Sequence, residues 1–221
     1  MKRRRSYPNR EIPKGSVTGT GTASTKALHN QGGHNHMLNI ITNGVTLMTK
    51  TTLSGQKIAI MVATGFDEQN FIEIQKMLMG QNAQLKVISP GAGLVHGRTG
   101  SQLGMSYPVD ALLSETLAID YDALIIPFGD AHLSVLAEEL HAARIIRAFL
   151  REDMPVLVQA DALKLVSEID ASVQPVALQA QGETGRHNRL LWTAPDTAMA
   201  TVTREFVTVC LEEKSDDSAA A

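Results

Sequence analysis

Four side chains able to do chemistry fall where an apolar run stops and a helical pattern begins. They are Asp67 in TGFDEQN, Asp130 and His132 in PFGDAH, and Asp161 in QADA. Asp161 closes MPVLVQ and precedes ALKLV, a strand that turns sharply into a helix, the setting in which many hydrolases hold a nucleophile. Aspartate is a nucleophile in some enzymes, and His132, arriving from a neighbouring strand end, could serve it as a base. That pairing would describe a stress-related hydrolase, amidase or glyoxalase-like enzyme. The plainer reading is structural. Asp67, Asp130 and Asp161 then cap the helices that follow them, and His132 only lines a solvated cleft. A third use is a polar pocket of Asp67, Asp130, His132 and Asp161 that binds a small ligand without reacting. Their spacing matches no metal-ligand pattern, so no metal and no cofactor is expected.

These turns need a frame. KIAIMVA (57–63), QLKVISP (84–90), DALIIPF (122–128) and PVLVQ (155–159) are short apolar runs, each bounded by turn residues or by a helical pattern. Phe71, Ile74 and Leu78 recur at helical spacing after the first, EELHAARIIRAFLRED (138–153) forms an amphipathic helix, and ALKLVSEI follows the fourth. The stretch 93–110 reads as a glycine-turned hairpin. Short strands near 174–178 and 189–193 precede a last helix striped by Met199, Val202, Phe206, Val209 and Cys210. Apolar strands alternating with helices predict a mostly parallel sheet covered on both faces, a flavodoxin-like three-layer α/β sandwich. Ligands in such sheets sit beyond the carboxyl ends of the strands, which would collect Asp67, Glu68, Asn70, Gly129, Asp130, His132, Ala160 and Asp161.

Outside this domain, expected at 56–213, the composition changes. Lys2, Arg3, Arg4, Arg5, Arg10, Lys14, Lys26 and Lys50 face Glu11 alone, leaving residues 1–55 near +7 and, with the chain at −3, the remainder near −10. The two parts could attract one another within an assembly. Residues 1–36 have little to bury and are expected to be flexible. Within 38–49, Asn43-Gly44 between alternating apolar runs predicts a hairpin with Ile40 opposite Leu47 and Thr42 opposite Val45. Such a hairpin needs cover, so a homo-oligomer, or a protein partner reached through this arm, is expected. His29, His34 and His36 read as solvated linker, and the cluster Lys2–Arg5 as a non-specific footprint with no specific nucleic acid implied. Residues 214–221 read as a disordered tail. The lone cysteine, Cys210, forms no internal disulfide and reads as core. With MKRRR followed by SYPNREIPKG instead of an apolar run, and no membrane span, a cytoplasmic location is expected.

The order of these pieces over roughly 56–212 resembles the ThiJ/PfpI family, with its class I glutamine amidotransferase-like fold; only the segment between Val176 and Arg189 is shorter than usual. Active members carry a glutamate after the first strand, a Gly-Gly oxyanion-hole turn after the third and a cysteine elbow after the fourth. The resemblance places the glutamate on Asn70, the glycines on Phe128 and Gly129, the cysteine on Ala160, the following residue on Asp161 and the elbow glycine on Ala162. KIAIMVATGFDEQNF, YDALIIPFGDA and MPVLVQADALKLV look closer still to the C-terminal domain of large-subunit catalases, which also lacks the cysteine and is regarded as non-catalytic. The 55 residues ahead of the domain are too few for a haem-bearing barrel. An alanine methyl attacks nothing, an asparagine relays no proton as a carboxylate does, and a phenylalanine crowds an oxyanion. The resemblance therefore implies a pseudo-enzyme with a structural, assembly or regulatory role, with no catalytic residue and with Asn70, Phe128, Gly129, Ala160 and Asp161 as vestigial positions.

Overall fold

A computed structural model describes residues 37–42, 45–50, 52–180 and 182–212. The arm at 1–36, with its basic cluster and histidines, and the tail at 214–221 lie outside the described residues. Strands β1 (Met37–Thr42) and β2 (Val45–Lys50) pair antiparallel with Ile40 opposite Leu47 and Thr42 opposite Val45, the expected register. Asn43-Gly44 itself lies outside the described residues.

The domain is laid out by β3 (Lys57–Met61), β4 (Phe66–Asp67), α1 (Glu68–Gly80), β5 (Gln84–Ser89), β6 (Leu94–Thr99), β7 (Gln102–Pro108) and β8 (Ala111–Leu112). Then come β9 (Ala123–Ile126), α2 (Asp130–Glu138), α3 (Leu140–Arg151), β10 (Val156–Gln159), α4 (Ala162–Ile169), α5 (Gln174–Ala180), β11 (Gly185–His187), β12 (Leu190–Thr193) and α6 (Met199–Leu211). One seven-stranded sheet runs β11-β12-β10-β9-β3-β5-β8, and every pair is parallel except β11 with β12. This is the mostly parallel flavodoxin-like sheet read from the sequence.

Strand alternation divides the core. Ala59, Met61, Leu124 and Val158 face a cluster with Leu136, Ile145, Phe149 and Val166 from α2, α3 and α4. Ile58, Ile60, Ile125 and Leu157 face the other way, onto Phe71, Ile74, Leu78, Val202 and Phe206 of α1 and α6. Burial on both faces explains why these strands read as continuous apolar runs and not as alternation. Each of the larger side chains stabilises the fold by roughly 1.5–3 kcal/mol on leaving water.

Two expectations are corrected. Residues 174–178 are not a strand: Gln174–Ala180 is a short helix following a 3-10 turn at Ala171–Val173. Pro175 sits in its first turn, where the missing N–H costs nothing, and Val176-Ala177-Leu178 carries no strand alternation. The helical pattern at 138–153 is also narrower than read, because Glu138 ends α2, extended Glu139 caps α3, and α3 runs only from Leu140 to Arg151. The hairpin over 93–110 forms as β6 and β7, and β6 also pairs with β4, making a separate three-stranded sheet in the order β4-β6-β7.

Candidate functional site

Strand order reverses across β3: β5 lies on one side of it and β9 on the other. The loops leaving β3 and β9 therefore diverge, and a crevice opens between them. They are joined at its floor, where the Asp67 amide donates to the Phe128 carbonyl at 3.1 Å. Gly129 makes this possible. Its φ is +140°, and a Cβ there would lie 2.9 Å from both Phe66 Cα and the Asp67 nitrogen. Asp67 caps α1 as expected, accepting the Asn70 amide at 2.8 Å.

A polar opening of about 240 Å³ results, lined by Asp67, Arg98, Phe128, Gly129, Asp130 and Asp161 among others. Three of the four residues expected to share a ligand pocket meet here. The fourth does not. His132 is fully buried on α2, its Nε2 lies 2.9 Å from the Pro127 carbonyl, and its ring meets Phe66 edge-on with centroids 6.4 Å apart. With Nε2–H donating, Nδ1 is a buried acceptor with no partner. Burial depresses the imidazole pKa to about 4, against weaker support for the charged form from the Pro127 and Phe128 carbonyls. His132 reaches neither the crevice nor Asp161, so the expected cleft-lining histidine is corrected. The reason is helix phase: Asp130 opens α2 facing solvent, and a residue two places on lies about 200° round the axis.

The turn after β10 is where the resemblance puts the nucleophile. Ala160 is half-buried, its amide donates to the Thr193 carbonyl at 2.8 Å, and its φ is +47°. That is the sharply bent left-handed conformation of a nucleophile elbow, on a residue with no reactive atom. The chain's one thiol, Cys210, is buried on α6, where desolvation pushes its pKa up to about 12. Asp161 also departs from expectation: it precedes α4 but makes no side-chain cap bond. Its backbone is already helical (φ −65°, ψ −13°), whereas a capping side chain folds back over the first amides from an extended backbone. The carboxylate is exposed and lies on the rim of two openings. Asp130 likewise is not the cap of α2; Gly129 holds that position, and Asp130 sits exposed in the first turn.

The second opening, about 500 Å³, lies between α4, α5 and the end of β12. Ala160, Leu163, Ala177, Trp192 and Thr193 contribute to its mostly apolar wall. Phe128 lines the polar opening instead and does not fill the space beside Ala160. Thr193 Oγ1 and Trp192 Nε1 are buried polar atoms without partners. Asn70 is buried with Oδ1 unpartnered, and it lines neither opening.

Sequence reasoning assigned Glu68 only to the crevice. Its carboxylate is instead spent on the β6–β7 hairpin, accepting from the Met105 amide (2.8 Å), Thr99 Oγ1 (3.1 Å) and Tyr107 Oη (3.2 Å). A side chain at Gly104 would overlap it. The Met105 amide holds the Glu68 pKa below the usual carboxylate value, and burial together with the Glu68 charge raises that of Tyr107. Arg98, Trp192 and Thr193 were missed; nothing in their local spacing marks them. No helix among the described residues is long and apolar enough to cross a membrane, and none of their His, Cys, Asp and Glu side chains group in threes able to hold a metal.

Comparison with known proteins fits this architecture. The model of the DJ-1/PfpI family matches residues 56–171, just over half of the chain. A two-domain protein from Anabaena variabilis containing DJ-1/ThiJ/PfpI-like and ferritin-like domains superposes with a TM-score of 0.60 at 16% identity, covering 73% of this chain and 51% of that one. A ThiJ/PfpI domain protein from Brachyspira murdochii gives 0.58 at 16% identity, covering 71% and 96%. Catalase HPII of Pseudomonas aeruginosa is 24% identical over 123 residues, 56% of this chain but only 17% of the catalase. The fold is thus a flavodoxin-like α/β sandwich with its crevice at the switch point of the sheet. The chain belongs to the DJ-1/PfpI family.

Proposed function

We propose that this chain is a non-catalytic member of the family, a domain kept for shape, assembly or regulation. One observation carries the reading: Ala160 holds the strained backbone of a nucleophile elbow and presents a methyl group. His132 is turned into the core, and Asp161 shares the crevice opening with no histidine or cysteine, only with Arg98 and the carboxylates Asp67 and Asp130. A hydrolytic reaction through Asp161 would form an acyl-aspartate, and turnover would then need a base positioned to deprotonate the water that cleaves it, the part a crevice histidine would have played. The test is turnover of small esters, amides and methylglyoxal by purified protein. No activity sensitive to Asp161→Asn is expected, and a saturable activity abolished by that change would reverse the proposal.

The open cavity beside Ala160 favours a regulatory version in which a small molecule binds there unreacted. Its volume lies within the usual range of ligand sites, and Trp192 and Thr193 form part of its wall. A ligand for this site should raise the melting temperature and change Trp192 fluorescence. We further propose association into a homo-oligomer through the arm. Deleting residues 1–50 should lower the mass seen by sedimentation, and an unchanged mass would remove the arm from that role.

A further inference from the structure

The opposite end of the sheet holds another opening, about 670 Å³, at the amino ends of β9, β10 and β12. Arg189 forms part of its wall. This side chain is only 9% exposed, one Nη donates to the Val209 carbonyl at the end of α6 (2.8 Å), and its Nε is buried with no partner. No carboxylate stands within ion-pair distance of it among the described residues. A guanidinium so far out of water ordinarily has an anion against it.

The other charged groups of the opening are already engaged. Arg144 donates to the Leu113 and Thr116 carbonyls (2.9 and 2.8 Å). Glu152 is paired with Arg151 at 3.0 Å, and Asp122 accepts the Lys57 amide at 2.7 Å. Three arginines against two occupied carboxylates leave the opening positive. Large apolar side chains share the lining with these charges: Leu117 is 54% and Ile119 85% exposed, and Met154 lies in the wall. Large aliphatic side chains left in water around an uncompensated guanidinium suit a ligand that is anionic at one end and apolar at the other.

We propose that this opening binds a small organic carboxylate with an apolar body, the carboxylate against the Arg189 guanidinium and the body against Leu117, Ile119 and Met154. The site lies at the other end of the strands from the crevice and does not depend on how the crevice is used. A planar guanidinium edge matches a carboxylate in geometry, and one unit of ligand charge is what the opening lacks.

The full-length chain is titrated with octanoate, octanol and acetate by calorimetry, while the 13C-methyl resonance of Met154 is followed by NMR. Octanoate should bind and shift that resonance; octanol should bind at least tenfold more weakly, and acetate not measurably. Arg189→Gln should weaken octanoate at least tenfold. Because that change also removes the bond to Val209 and could unfold the protein, Ile119→Asp is the second variant: its side chain is exposed, and the same tenfold loss is expected with the melting temperature unchanged. Leu178→Asp, in the cavity beside Ala160, should leave octanoate affinity unaltered. Absence of octanoate binding at millimolar concentration, equal binding of octanol, full affinity in Ile119→Asp or loss in Leu178→Asp would each overturn the proposal.

Discussion

Left-handed backbone occurs at both ends of the sheet, on different residues. At the amino ends it falls on Asn82, Asp153 and Asn188, with φ of 55°, 46° and 50°. Asn82 and Asp153 follow the ends of α1 and α3, and Asn188 turns β11 into β12. Short polar side chains tolerate this region, so these reversals cost little. At the carboxyl ends it falls on Gly65 and Gly129, where an added Cβ would clash, and on one non-glycine residue, Ala160. Turns needed merely to reverse the chain have tolerant residues. The turn after β10 instead holds an alanine, with neither a glycine's freedom nor a short polar side chain, in the same left-handed region. Strain of this kind ordinarily persists at functional sites, at roughly 1–3 kcal/mol per residue.

The largest effect that would sharpen this contrast is at Gly129. Gly129→Val should destabilise by more than about 4 kcal/mol, because the new Cβ meets the Phe66–Asp67 backbone, which has nowhere to go. Denaturant melts, or absence of folded protein on expression, would register it.

Next in size is a pH effect at the same end. The folded-state pKa of His132 is depressed from 6.5 to about 4, so the unfolded chain takes up the proton first as pH falls. The stability from its neutral burial is complete above pH 6.5 and is lost as pH falls to about 4, on the order of 3 kcal/mol in all. Glu68, Asp170 and Glu212, with pKa values below the usual carboxylate value, lose their contributions lower down, as pH falls below about 4.5. The slope of unfolding free energy between pH 6.5 and 4.5 should therefore flatten in His132→Phe. An unchanged slope would place its origin elsewhere.

The contrast between the two ends turns on a pair of smaller changes with opposite signs. Asn82→Ala should cost about 1 kcal/mol, whereas Ala160→Gly should gain about 0.5–1 kcal/mol by relieving the left-handed strain on an alanine. If Ala160→Gly destabilises instead, the methyl packs usefully and the strain reading fails. Smallest of all, Asp161→Asn should move stability by less than about 0.5 kcal/mol, since its carboxylate caps nothing. A loss near 1 kcal/mol would restore the capping role that the local sequence suggests.

The strands of the sheet were legible because burial on both faces leaves an unbroken apolar run, as in Ile58–Met61 and Val156–Val158. The β1–β2 register followed from a two-residue turn. The helix at Gln174–Ala180 was misread because three apolar residues in a row fit either period and seven residues are too few to choose. His132 shows the limit at the candidate site: the sequence places it beside the crevice, but two residues of helical rotation point it into the core. Asp161 failed similarly, since capping depends on a backbone angle that residue type does not reveal. Arg189 reads as an ordinary cation before a strand, and only the fold removes it from water.

The central claim is that the crevice breaks no bonds, and single-turnover mass spectrometry tests it most directly. Intact protein, quenched within milliseconds of mixing with activated esters, is digested and searched for acyl groups on crevice peptides, with Ala160→Cys as the positive comparison. The expected result is acylation at position 160 only in the cysteine variant and none on Asp161 in either protein. A transient acyl group on Asp161 of the unaltered chain, formed and lost at the rate of product release, would contradict it.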